Sequence, residues 1–357
     1  MRLTKASSTF LVILCLPEIS SSFLVSKKVY SSIGSTRSTQ RGTYYPSSLI
    51  LNMSSSSSPT FMEALSDAVK EQTEAEAVEM GPATGGGAGG GGGASISAAV
   101  DKVTGTKYFI KSANLSSGGG KMLKAEYLGV KEMSEAGAIR VPTPIAYGEW
   151  NGRGFVVFEY LNFCGGGNGE ERGRQLARMH RKISEKGFGF HVDNTIGATP
   201  QPNLPWKDDW ADFWDEHRLG HMLKLTGNAG LSSADVETLR AKTRELLSHK
   251  PEPSLIHGDL WGGNAGYAKV DGGIVVPVIF DPATYYGDRE ADVAMTSLFG
   301  GFGGDFYAGY EEEWPLPEGH DKRKVVYNLY HILNHEVLFG GMYRGQARQM
   351  INQIMNM

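Results

Sequence analysis

In the segment LIHGDLWGGN, His257, Asp259 and Asn264 follow the pattern H-x-D-x-x-x-x-N, and further on an apolar run ends in Asp281. Between them, Gly266–Lys269 reads as a short strand, Asp271-Gly272-Gly273 as a turn and Ile274–Phe280 as the returning strand. Such a hairpin carries Asp281 back beside the loop. These residue types suit phosphoryl transfer. A carboxylate must accept or orient the proton of the attacking hydroxyl, and Asp259 is the candidate. Mg²⁺ must neutralise a triphosphate, and it prefers hard oxygen ligands, which the Asn264 carbonyl and the Asp281 carboxylate supply.

The spacing is that of a kinase catalytic loop, so a nucleotide cradle should precede it. Lys111 ends the apolar stretch Tyr108-Phe109-Ile110, and Glu126 lies in the next predicted helix, Lys121–Ala136, where it can pair with the lysine. Lys107 is the rival lysine, but it opens the strand. The glycines Gly91, Gly92 and Gly93 end a polyglycine stretch and stand just before the first strand, where backbone N–H groups can wrap phosphates; the first half of the stretch reads as linker. Glu159, Tyr160 and Leu161 close the last strand of this region, where an adenine ring would bond to the backbone.

The elements around these residues divide the chain. Residues 61–80 read as an amphipathic helix, Ser95–Val100 with Lys107–Ser112 as a hairpin, and Ile145–Trp150 with Gly154–Tyr160 as another. Beyond Leu161 the patterns are helical: Glu170–Lys186, Trp206–Thr226, Ser233–His249 and Lys322–Met355, interrupted by a β-rich island over Ile256–Asp281. The expected fold class is therefore α+β, with a strand-rich lobe over residues 61–161 and a larger helical lobe over 162–357.

Residues 1–60 read as a disordered targeting presequence. Arg2 and Lys5 precede the short apolar run Phe10–Leu16, and a basic, hydroxyl-rich stretch with Glu18 as its one acid follows. This bipartite pattern suggests delivery to a plastid, with a cytoplasmic or mitochondrial protein as the alternative. The net charge of −4 gives no electrostatic case for nucleic acid or an anionic membrane as partner. Of the two cysteines, Cys15 lies in the presequence, so the mature chain depends on no intrachain disulfide and is expected as a monomer or weak dimer.

HGDLWGGN and VIFDPATYYGDREADVAMTSLFGGF resemble the fructosamine-3-kinase (ketosamine-3-kinase) family, as do DDWADFWDEHRL, GFGFHVDNTIG and YNLYHILNH. The resemblance spans roughly residues 90–355. It implies a two-lobe protein-kinase-like fold akin to aminoglycoside and choline kinases. It also implies ATP-dependent phosphorylation, with Mg²⁺, of the sugar 3-hydroxyl of protein-bound ketosamines. The 3-phosphate is unstable and its loss frees the amine. Plant and bacterial members prefer ribulosamines and erythrulosamines to fructosamines. By position Asp259 matches the family's proton acceptor, Asn264 and Asp281 its metal ligands, and Lys111 with Glu126 its nucleotide grip.

Two departures carry expectations. Ala94 stands where relatives often have a cysteine proposed to form an intermolecular disulfide, so that redox switch should be missing. Gly258 replaces the Arg of regulated protein kinases, which suggests activity without activating phosphorylation. On the substrate side, Trp261 either stacks on the sugar or is core. His257 and Trp210 are further candidates, although the Trp210, Phe213, Trp214 run also reads as core. Asp292 is expected to brace the catalytic loop, and His335 either lines the cleft or packs. Another small-molecule kinase would share Asp259, Asn264 and Asp281; Trp261 and Asp208–Leu219 favour ketosamines. A pseudokinase would have lost one of Lys111, Asp259 or Asp281, and none is lost.

Overall fold

The computed structural model describes residues 60–81 and 94–357. Residues 1–59 of the presequence and the glycines Gly91, Gly92 and Gly93 lie outside the described residues, whereas Thr60 already caps the first helix.

Helix α1 (Phe61–Gln72) starts at a capping box in which Thr60 and Glu63 satisfy each other's backbone N–H groups. It stops at Thr73, short of the expected residue 80, and Val78–Met80 forms strand β1 instead. The reason is a change of period. In VEM the outer residues are half-buried and Glu79 is exposed, which is strand alternation, and β1 pairs with β2 (Ser95–Asp101).

Strand β2 pairs with β3 (Lys107–Asn114), β3 with β5 (Arg153–Glu159), and β5 with β4 (Pro144–Trp150), which gives a five-stranded antiparallel sheet in the order β1-β2-β3-β5-β4. Alternation sorts its faces. Tyr108, Ile110, Phe155 and Val157 pack with Leu65 and Val69 of α1 on one side. Ala113, Val156 and Phe158 meet Leu123, Val130 and Met133 of α2 (Gly119–Ala136) on the other. The lobe expected over 61–161 is thus a sheet between two helices.

In the second lobe β6 (Phe163–Cys164) leads into α3 (Gly169–His180), which ends earlier than expected, and a small hairpin β7 (Asn194–Ile196) and β8 (Thr199–Gln201) follows. A long helical stretch begins at Trp210, with Asp209 as its N-cap, and runs as α4 (Trp210–Trp214), a π-helical turn (Asp215–Leu219) and α5 (Gly220–Leu225). Helix α6 (Ser233–Leu246) precedes β9 (Ser254–Ile256). The hairpin β10 (Ala265–Lys269) and β11 (Val275–Ile279) lies where the sequence put it, and β6 joins it as a third strand. Strand β12 (Tyr285–Gly287) pairs with β9. Two helices absent from the sequence reading follow, α7 (Glu290–Met295) and α8 (Gly304–Glu313).

The helix expected over Lys322–Met355 is two, α9 (His320–Phe339) and α10 (Arg344–Met355). They break at Gly340, whose φ of 82° and ψ of −165° suit glycine alone. The core of this lobe is aromatic, with Trp210, Phe213, Trp214, Tyr327 and Tyr330 all fully or almost fully buried.

Candidate active site

The loop after β9 and the end of β11 bring Asp259, Asn264 and Asp281 together. Asn264 Nδ2 donates to the Asp259 main-chain oxygen at 2.9 Å, to Asp259 Oδ2 at 3.1 Å and to the Asp281 main-chain oxygen at 3.3 Å. Among the described residues the Asn264 side-chain oxygen accepts no hydrogen bond, which leaves a hard donor free in this loop. Asp281 holds a left-handed backbone, φ 57°, unusual for a residue with a side chain.

The cation of this cluster comes from the other lobe. Lys111 on β3 is almost fully buried, and its Nζ lies 2.8 Å from Glu126 Oε1 of α2 and 2.6 Å from Asp281 Oδ1. Burial opposes charge on Lys111, but the Asp281 and Glu126 carboxylates outweigh it and hold the ammonium's pKa above its usual value. Burial raises Glu126 despite the lysine. The rival Lys107 is exposed and sits over the Tyr160 ring, 5.7 Å from its centroid, away from the carboxylates.

Loss of water around Asp259 pushes its carboxyl up to about 7; the Asn264 hydrogen bond opposes this, and the negative charges of Asp281 and Asp292 add to it. Near neutrality such a group can both take and give a proton.

The catalytic loop is braced from behind, as expected of Asp292. Its Oδ2 accepts from His257 N at 2.6 Å and its Oδ1 from Gly258 N at 2.8 Å. His180, which the sequence reading passed over, completes the brace: Nε2 meets Asp292 Oδ2 at 3.2 Å and Nδ1 meets the Tyr310 hydroxyl at 2.7 Å. A histidine near a helix end gives no sequence signal for this.

At the junction of the lobes the Glu159 carboxylate is taken by Arg140 and by Thr143, whose hydroxyl donates at 2.9 Å. Tyr160 N–H reaches Lys107 O at 3.4 Å. Leu161 N–H donates to no group among the described residues, which leaves it available to a nucleotide base.

Two substrate candidates are corrected. Trp210 is 2% exposed, stacks on Phe213 and donates its indole N–H to Tyr327, so it has no face to offer. His257 is fully buried; its Nε2 meets Phe280 O at 3.0 Å and its Nδ1 accepts Asp259 N–H at 3.3 Å, so it positions the loop instead of touching substrate. Trp261 is half-buried and lies outside the core, its ring so close to Gly263 that a Cβ there would come within 2.2 Å. His335 packs against Phe299 and Tyr343, with Nδ1 on His331 O at 2.8 Å.

A sheet lobe and a helical lobe, joined at the end of β5 and by the ion pairs Lys111–Asp281 and Glu132–Lys182, define a protein-kinase-like fold. The family model for fructosamine kinase matches residues 64–357, and the chain belongs to that family. It is 44% identical to protein-ribulosamine 3-kinase, chloroplastic, of Arabidopsis thaliana over 257 residues, 70% of this chain and 76% of the relative. It is 47% identical to a Synechocystis protein assigned as a ketoamine kinase over 251 residues, 69% of this chain and 82% of the relative. A crystal structure from Haemophilus somnus assigned as a fructosamine-3-kinase superposes with a TM-score of 0.71 at 29% identity, covering 81% of this chain and 96% of that one. The protein is thus an ATP-using kinase of a family that phosphorylates ketosamines.

Proposed function

We propose that this chain transfers the γ-phosphoryl group of ATP to the sugar 3-hydroxyl of ketosamines on protein amines, with ribulosamine the preferred sugar and deglycation the outcome. Asp259 receives the hydroxyl proton. Lys111, held by Glu126, grips the nucleotide phosphates and Leu161 N–H takes the base; the glycines Gly91–Gly93, which lie outside the described residues, are the candidates for the phosphate-wrapping loop. The donor set fits Mg²⁺: Asn264 and Asp281 offer hard oxygens, and the Lys111 ammonium already occupies a cation's place beside Asp281. When bound, Mg²⁺ would neutralise the charge of the triphosphate.

One observation carries this reading: a single amide, Asn264 Nδ2, bonds to both Asp259 and Asp281. Trp261, half-exposed beside Asp259, is the sugar-stacking candidate. A plastid address is supported by the composition of residues 1–60 and suits ribulosamine, since pentose phosphates are plentiful there.

The test is ADP release with Mg-ATP and ribulose-, erythrulose- or fructose-lysine. Turnover should be fastest with ribulose-lysine and be followed by release of free amine. No ADP from any of the three would overturn the proposal. A fluorescent fusion of residues 1–60 that stayed in the cytosol would end the plastid assignment.

A further inference from the structure

Arg218 is fully buried, yet among the described residues no carboxylate pairs with it. Its guanidinium lies 3.9 Å from the centroid of the Tyr285 ring and 4.7 Å from that of Phe213. Nη1 donates to the carbonyls of Pro202 and His217, Nη2 donates to Asn203 Oδ1 at 2.7 Å, and Nε has no partner among the described residues. A buried cation held only by carbonyls, an amide and ring faces is a costly choice where an apolar side chain would pack.

What that choice holds is the segment after Asp281. Asn203 Nδ2 donates to Asn194 Oδ1 at 2.9 Å, and Asn194 Nδ2 donates to Thr284 O at 2.8 Å. Gln201 Nε2 bonds to the same Asn194 oxygen at 2.7 Å and to Ala283 O at 3.1 Å. Arg218 therefore reaches Ala283–Tyr285 twice: directly on the face of Tyr285, and through Asn203 and Asn194. The segment needs such a hold, because Asp281 sits in a left-handed conformation that its own sequence does not favour. The π-helical turn Asp215–Leu219 buries His217 and Arg218 in succession, and the Asp215–Arg240 ion pair pins that turn. Turns of this kind recur at functional sites.

We propose that Arg218 is a positioning residue for Asp281: through Tyr285 and the Asn203–Asn194 amide chain it fixes the segment that aims the metal-binding carboxylate. This rests on the reading of Asp281 as a ligand for the metal of the nucleotide complex.

The test is Mn²⁺ binding to the full chain in the presence of ADP, followed by loss of the free-ion electron paramagnetic resonance signal, with turnover against Mg²⁺ concentration as a second readout. Arg218→Met should weaken Mn²⁺ binding about 10–100-fold, the range for residues that orient a metal ligand, and its rate should recover at high Mg²⁺. Arg218→Lys, which keeps the cation on Tyr285 but not the fork to Asn203, should fall between. Asn203→Ser should move in the same direction and carries the test if Arg218→Met does not fold. Leu239→Ala, a core change in α6, is the control: it should lower stability without moving Mn²⁺ affinity. Wild-type Mn²⁺ affinity in folded Arg218→Met and Asn203→Ser, with Asp281→Asn clearly weakened, overturns the positioning role alone. Unchanged affinity in Asp281→Asn itself overturns the metal site and this proposal with it.

Discussion

Lys111 Nζ lies 2.6 Å from Asp281 Oδ1, although 170 residues separate them in the chain. This ion pair joins the central strand of the sheet lobe to the end of the β10–β11 hairpin, and Glu126 holds the same ammonium from α2. One buried cation therefore sets the position of three elements.

Lys111→Met should cut turnover on the order of 10²–10³-fold, the scale for losing one preorganised charged donor. It would also leave the Glu126 and Asp281 carboxylates facing each other without a counter-charge. Glu126→Gln should be milder, because Asp281 still pairs with the lysine. Steady-state kinetics with varied ATP checks both, and equal losses in the two variants would contradict the geometry.

The pH dependence follows from Asp259. Its carboxyl is held up at about 7, and the deprotonated form is the one that accepts a proton. As pH falls below 7 the acid form accumulates, so kcat/KM should decline on the acid side with an inflection near that value. Asp259→Asn should lower turnover roughly 10²–10⁴-fold and remove the inflection. A flat profile from pH 5 to pH 8 would show that another group limits the reaction.

Much of this site was legible in sequence because its parts are local. His257, Asp259 and Asn264 share one loop, and a single hairpin returns Asp281, so short-range spacing sufficed. The hairpins β2–β3 and β4–β5 of the sheet lobe were legible for the same reason, since each flanks a short turn. What escaped depends on distant partners. Val78–Met80 is too short to show strand alternation until β2 lies beside it. Helix α7 is six residues long and almost wholly buried, so it has no amphipathic face to read. Trp210 and His257 looked available because aromatic and imidazole groups suit substrates, yet burial had already assigned them to the core and to the loop. The amides of Asn194, Gln201 and Asn203 carry no motif; only the fold shows that they converge on the carbonyls after Asp281.

Gly258 has a steric reason to be glycine. Its φ is 79°, and a Cβ there would lie 2.2 Å from the Ala283 carbonyl oxygen. Gly258→Ala should cost at least about 1–2 kcal/mol from the left-handed backbone alone, with the clash in addition. It should also push Ala283 away from the loop and reduce turnover. Placing at this position the Arg of regulated protein kinases is therefore expected to unfold the loop and not to install regulation. Urea denaturation of both variants checks the order, with Arg no better than Ala.

Asp292 is the last support of the loop. Its two oxygens accept the N–H groups of His257 and Gly258, and His180 Nε2 meets the same oxygen as His257 N. Burial lowers the His180 pKa, so the ring is neutral and donates through Nε2. Asp292→Ala would strand two buried amides and a buried imidazole at once. Breaking a buried charged hydrogen-bond network typically costs about 3–5 kcal/mol, and chemical denaturation should show a loss of that size. Asp292→Asn separates folding from positioning: its amide oxygen can accept from only one side of the loop, so it should recover part of the stability while turnover stays low. If Asp292→Asn regained full turnover, the carboxylate would not be what holds His257 and Gly258 in register with Asp259.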